Sequence, residues 1–262
     1  MERLPYILSA LVALQALIQS ATQRRARRRS PLVDLLDDRF SAVPRPIVPT
    51  LAMGIAAGAA VVAIPWVTGL ALGWAQVRFA PAPSAQEWAL GAAAAALHVA
   101  YAAVEELVFR GALLPQLVKA ARPGVALVVA ALVYVASYLG RPGIEALGAY
   151  SLLILGLQGV GLGVLFLATH TLWAPVGWTA TRNLLLWILY GTGGAFGFPV
   201  RWAEHRLTAT GTRWVATPPQ AGLVDALATA VVVLVALLAS RRHLTSSRLD
   251  WLRDERPPRL PL

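Results

Sequence analysis

Apolar residues fill this chain in runs of about 20, separated by short clusters of Arg, Pro and Gly. At about 1.5 Å per residue such runs match the roughly 30 Å hydrocarbon core of a bilayer. They predict spanning helices near 4–22, 48–76, 86–118, 123–139, 147–168, 173–190 and 220–239. The expected fold class is therefore all-α, a polytopic membrane helical bundle of about seven transmembrane helices. The third run is too long for one perpendicular crossing. It is expected to tilt to about residue 104 and continue as an amphipathic, partly interfacial extension. Glycines at four-residue spacing, Gly54 and Gly58, Gly69 and Gly73, Gly159 and Gly163, predict close backbone approach between helices. The stretch 191–219 reads as an outward cap or re-entrant loop.

Composition agrees with the pattern: 57% of residues are hydrophobic, 14% are charged, and the mean hydropathy is +0.61. The absence of cysteine excludes disulfides and thiolate metal sites. The formal charge of +10 sits at the ends of apolar runs, and every basic residue except Lys119 is arginine. That placement speaks for membrane topology and against nucleic acid, which needs basic and aromatic residues interleaved on a soluble face. The positive-inside rule puts 23–47, the Lys119/Arg122 turn and the tail from 241 in the cytoplasm, with the N-terminus outside. The first run lacks the basic leader of a cleaved signal and reads as an uncleaved anchor. The organisation expected is an anchor helix and basic segment at 1–46, a membrane domain at 47–240 and a basic cytoplasmic tail at 241–262. The localisation expected is the cell membrane, with lipid as the surrounding partner.

Three ionisable residues break the apolar pattern of the third run: Glu105, Glu106 and Arg110. A charge near the centre of a spanning helix costs about 2.5–3.5 kcal/mol on insertion scales, so such residues mark sites by default. Glu106 and Arg110 stand four residues apart, acid before base, and are expected to pair along one face. Glu105 points about 100° away. A carboxylate held by Arg stays ionised, whereas one in a dry site without a counter-charge gains basicity, as a base for water requires. An interfacial ion pair with one snorkelling glutamate is the alternative reading of the same three residues.

Glu105-Glu-Leu-Val-Phe-Arg-Gly-Ala-Leu-Leu114 resembles the first motif of the CPBP intramembrane proteases, the family of type II CAAX prenyl proteases and bacteriocin-processing proteins. Leu172-Trp-Ala-Pro-Val-Gly-Trp-Thr-Ala-Thr-Arg-Asn183 is similar to the family's third motif, and the resemblance covers about residues 85 to 240. It implies Glu105 as the base for water, Glu106 as the second acid, Arg110 as a buttress and Asn183 as an oxyanion donor. The family's two histidines would fall at Tyr138 and Thr179, where this chain carries hydroxyls. Neither replaces a neutral-pH base: Thr does not ionise, and a Tyr of pKa near 10 stays protonated.

Among the histidines, His170 completes an aromatic-xxx-His pattern with Phe166, out of the expected order, and either compensates for the lost residues or lies at the membrane interface. His98 reads as an interhelical group, and His205 and His243 as solvated. Arg182, deep in the sixth run, is expected to seek a carboxylate, with Glu105 the candidate. The resemblance implies a divalent metal such as zinc, but Glu105, Glu106 and Asn183 without histidine make a poor zinc set. Two functions are expected: peptide-bond hydrolysis at the cytoplasmic leaflet on a peptide or prenylated peptide, or a catalytically impaired scaffold that binds membrane peptides or partner proteins. A transporter relaying substrate through Glu105 and Arg182 would call for two related halves with interrupted helices, which the chain lacks.

Overall fold

The computed structural model describes residues 47–79, 84–139, 149–190, 203–207 and 222–240, all within the compact unit Val43–Leu262. The first predicted span, the basic segment before residue 47, His243 with the tail, and the 191–219 loop apart from 203–207 lie outside the described residues. In chain order the elements are α1 (Ile47–Ala71), β1 (Ala75–Phe79), α2 (Ala85–Glu106), a π-helical segment (Leu107–Leu113), α3 (Leu114–Ala120), α4 (Pro123–Leu139), α5 (Ala149–Thr169), α6 (Trp173–Tyr190), β2 (Ala203–Leu207) and α7 (Leu223–Ser240). The apolar runs from the second to the seventh thus become helices close to the expected places.

Two boundaries differ from expectation. The second run was to reach residue 76, but α1 stops at Ala71 because Gly73 takes a left-handed conformation (φ 65°). Trp74 N–H then reaches back to the Gly69 carbonyl at 2.8 Å and Gly73 N–H to that of Leu70 at 3.1 Å, a glycine-dependent helix stop. Gly73 therefore ends a helix instead of packing one. The chain beyond it forms β1, which pairs antiparallel with β2, Val77 opposite His205. This small sheet is an addition to the all-α expectation. At the start of α2, Ser84 and Glu87 form a reciprocal capping box that fixes where that helix begins.

Among the described residues, four helical runs are long and apolar enough to cross a membrane: Ile47–Ala71, Ala85–Ala120, Tyr150–Thr169 and Leu223–Ser240, with Pro123–Leu139 a shorter apolar helix. α6 and the part of α5 from Ile154 onward form the interior. No described residue from Trp173 to Leu189 is exposed, whereas α1, α2, α4 and α7 carry exposed Ile, Leu and Val. Such an apolar outside around a polar-containing centre is what a lipid solvent demands.

Small residues set the spacing of the core. α1 and α6 run parallel, with Gly54 against the Ala174 backbone and Gly58 against that of Trp178, so close that a Cβ at either would strike backbone atoms. On α5, a Cβ at Gly159 would come within 2.9 Å of Ala131 Cα, and one at Gly163 within 2.6 Å of Leu127 Cδ2, so α4 and α5 are antiparallel neighbours. The first and last of the three predicted glycine pairs pack as expected.

Candidate functional site

The third run does not break near residue 104. It continues from α2 through the π-helical segment into α3, with Leu114 N–H bonded to the carbonyl of Phe109. Pro115 follows at once. It has no N–H to offer Gly111, and its ring would press on that carbonyl, so a locally widened helix relieves the conflict. Glu105, Glu106 and Arg110 straddle the junction and are 5%, 0% and 3% exposed. The motif is buried instead of interfacial and snorkelling: polar groups from α4, α5 and α6 converge on it inside the protein.

Glu106 and Arg110 do pair. Arg110 Nη1 donates to Glu106 Oε1 at 3.3 Å and lies 3.2 Å from Oε2. Arg110 Nη2 donates to the carbonyl of Gly159 on α5 at 3.3 Å. The guanidinium also lies over the Tyr134 ring, 4.6 Å from its centroid, with Phe109 edge-on to that ring at 5.1 Å. A flat, weakly hydrated cation suits such a place better than lysine would. From α6, Thr179 donates its hydroxyl to Glu106 Oε1 at 2.6 Å, in full burial. Glu106 is thus held by a cation on its own helix run and a hydroxyl from across the bundle.

Glu105 faces another helix. Tyr138 on α4 donates its hydroxyl to Glu105 Oε1 at 3.1 Å, and the Tyr138 hydroxyl lies 3.0 Å from that of Tyr134. The two hydroxyl residues expected at the family's histidine positions are therefore both bonded to the carboxylate pair, one to each glutamate. Asn183 stands one turn beyond Thr179 on α6 and accepts through Oδ1 from Arg182 Nη1 at 3.1 Å. Arg182 is buried, and its hydrogen bond is to this carboxamide.

The histidines stand apart from this cluster. His170 lies in the α5–α6 turn with φ 56°, eleven residues and so about 16 Å along the helix from Gly159. It shapes the turn. His98 is buried between α2 and α6 with its ring 6.0 Å from that of Trp187, an interhelical position as expected. His205 lies in β2. Sequence reasoning missed three participants: the Tyr134 hydroxyl, the Phe109 ring and the Gly159 carbonyl. The aromatic four residues before Tyr138 was a signal for Tyr134; a backbone carbonyl leaves none.

Fold and site together define a helical membrane protein with a buried carboxylate and guanidinium centre. Residues 87–185, which contain every residue of that centre, match the family model for Rce1-like type II CAAX prenyl endopeptidases. Over this stretch, which is less than half of its length, the chain is similar to that family of intramembrane endopeptidases. No curated protein and no solved structure matches it.

A zinc ion does not fit these donors. Among the described residues no three His, Cys, Asp or Glu side chains group as a metal set. Glu106 already faces a guanidinium at 3.2 Å, which repels a second cation, and the remaining neighbours offer hydroxyls and an amide. Zinc prefers imidazole, thiolate and unencumbered carboxylate.

Proposed function

We propose that this chain engages a membrane-associated peptide at the carboxylate pair, near the cytoplasmic leaflet, and hydrolyses it at least roughly a hundredfold more slowly than a histidine-bearing site of the same geometry would. The observation that carries this reading is the pair of hydroxyl bonds, Tyr138 to Glu105 and Thr179 to Glu106. Each of these hydroxyls already occupies an oxygen of its carboxylate. Thr and neutral Tyr also cannot take up the proton that an imidazole would accept at pH 7. Depth supports the leaflet: Trp88, an interface-type residue, is 17 positions before Glu105, about 25 Å along the helix, and Thr179 lies six positions into α6, about 9 Å.

A second reading keeps Glu105 as an active base in an intramembrane endopeptidase, with Asn183 stabilising the oxyanion. It is favoured by Thr179 and Asn183 sharing one face of α6, the face that meets Glu106. One experiment separates the two. Protein N-termini are compared across cells carrying the native protein and cells carrying Glu105→Ala at equal membrane abundance. The first reading predicts the same set of termini in both, with peptides co-purifying only with the native protein. Termini lost with Glu105→Ala and regenerated by purified native protein would establish the second.

A further inference from the structure

Arg182 has no counter-charge that the site accounts for. Its side chain is buried, at 5% exposure, in the centre of a helical bundle. Its hydrogen bond goes to a neutral group, Asn183 Oδ1 at 3.1 Å, while the Glu106 carboxylate is paired with Arg110. A guanidinium carries five N–H donors and a full charge, and a single amide acceptor compensates neither. Buried intramembrane cations persist where they serve something, and the usual partner is an anion. Position narrows what that anion is. Thr179, Arg182 and Asn183 are spaced i, i+3, i+4, so they occupy one face of α6. That face meets the carboxylate pair through Thr179. An anion at Arg182 would lie about one helical turn from Glu106, within the length of one or two residues of an extended peptide. The two carboxylates repel an anion at their own level, which leaves Arg182 as the place for it.

We infer that Arg182 is a carboxylate-binding residue for the bound peptide, with Asn183 orienting its guanidinium. This rests on the peptide-engaging function proposed above and names the ligand group recognised there. A planar guanidinium takes a carboxylate with two parallel N–H bonds, which lysine does not reproduce. The carboxylate is either the α-carboxylate of a peptide C-terminus or that of an acidic side chain.

The test uses the full chain in nanodiscs of neutral phosphatidylcholine and three fluorescent probes. These are an apolar hexapeptide with a free C-terminus, its C-terminal amide, and the amide with one internal glutamate. The native protein is expected to bind the free acid at least roughly tenfold more tightly than the amide, and Arg182→Gln to bind both alike at the amide's affinity. Arg182→Lys is expected to recover only part of the difference. If the glutamate-bearing amide binds as the free acid does, the carboxylate is a side chain's; if it binds as the plain amide does, it is the C-terminus. Equal binding of acid and amide by the native protein, or a preference that survives Arg182→Gln, overturns the inference while leaving peptide engagement intact. Failure of all three probes to bind overturns the peptide-engaging function and this inference with it. Arg182→Gln and Arg182→Lys are compared by thermal transition, so that a variant that unfolds is not scored as loss of binding; Arg182→Lys carries the comparison if Arg182→Gln does not fold.

Discussion

Glu105 and Glu106 are the same residue one peptide bond apart, yet the bundle gives them opposite surroundings. Glu106 is wholly enclosed between a guanidinium on its own helix run and the Thr179 hydroxyl from α6. Glu105 turns toward α4 and receives a phenol from the half-buried Tyr138, which in turn meets Tyr134. Successive residues on a helix point about 100° apart, so a pair of adjacent carboxylates samples two different sets of neighbours. One is tied to the bundle by a cation and a hydroxyl, the other to α4 by a phenol. The difference also shows where tolerance to change should lie: little around Glu106, more around Glu105.

The strongest way to break this comparison is to remove the cation. Arg110→Leu leaves the Glu106 carboxylate without its cation and is expected to cost about 3–5 kcal/mol, read as a lowered thermal transition and lowered membrane abundance. Glu105→Gln, which removes charge on the other side, should cost clearly less; equal losses would erase the distinction between the two glutamates. Thr179→Val keeps the volume but deletes the 2.6 Å bond, and a loss of about 1.5–3 kcal/mol is expected in chemical denaturation in detergent. Tyr138→Phe deletes a longer bond at a partly accessible position and should cost about 1.5 kcal/mol or less. Smallest is Tyr134→Phe, about 0.5–1.5 kcal/mol, because the ring that Arg110 and Phe109 pack against is retained. A larger effect for Tyr134→Phe than for Tyr138→Phe would mean that the hydroxyl chain, and not the ring, supports Glu105.

Much of this architecture is legible in the sequence because bilayer thickness and helix rise together leave few choices for an apolar run of 20 residues. The same holds for Gly54, Gly58, Gly159 and Gly163, whose spacing is a local signature of close packing. The Glu106 to Arg110 pair is local as well. What the sequence conceals is of two kinds. One is local conflict resolved in three dimensions: Pro115 widens the helix behind it, and Gly73 stops α1 inside an apolar run that continues to residue 76. The other is pairing at a distance. Thr179 lies 73 positions from Glu106, and Tyr138 lies 33 from Glu105, separations at which helix periodicity carries no information. The residues expected from the resemblance converge, but the bonds that decide their chemistry come from the packing of α4 and α6 against α2.

The most direct test of the account is turnover by purified native protein and by Tyr138→His/Thr179→His in nanodiscs, on one pool of membrane peptides, with new termini counted by mass spectrometry. Near-background cleavage by the native chain and a gain of at least roughly a hundredfold in the double variant is the predicted result. Native turnover equal to that of the double variant, or no gain in a double variant that keeps its thermal transition, would contradict the claim that hydroxyls in place of imidazoles hold this site back.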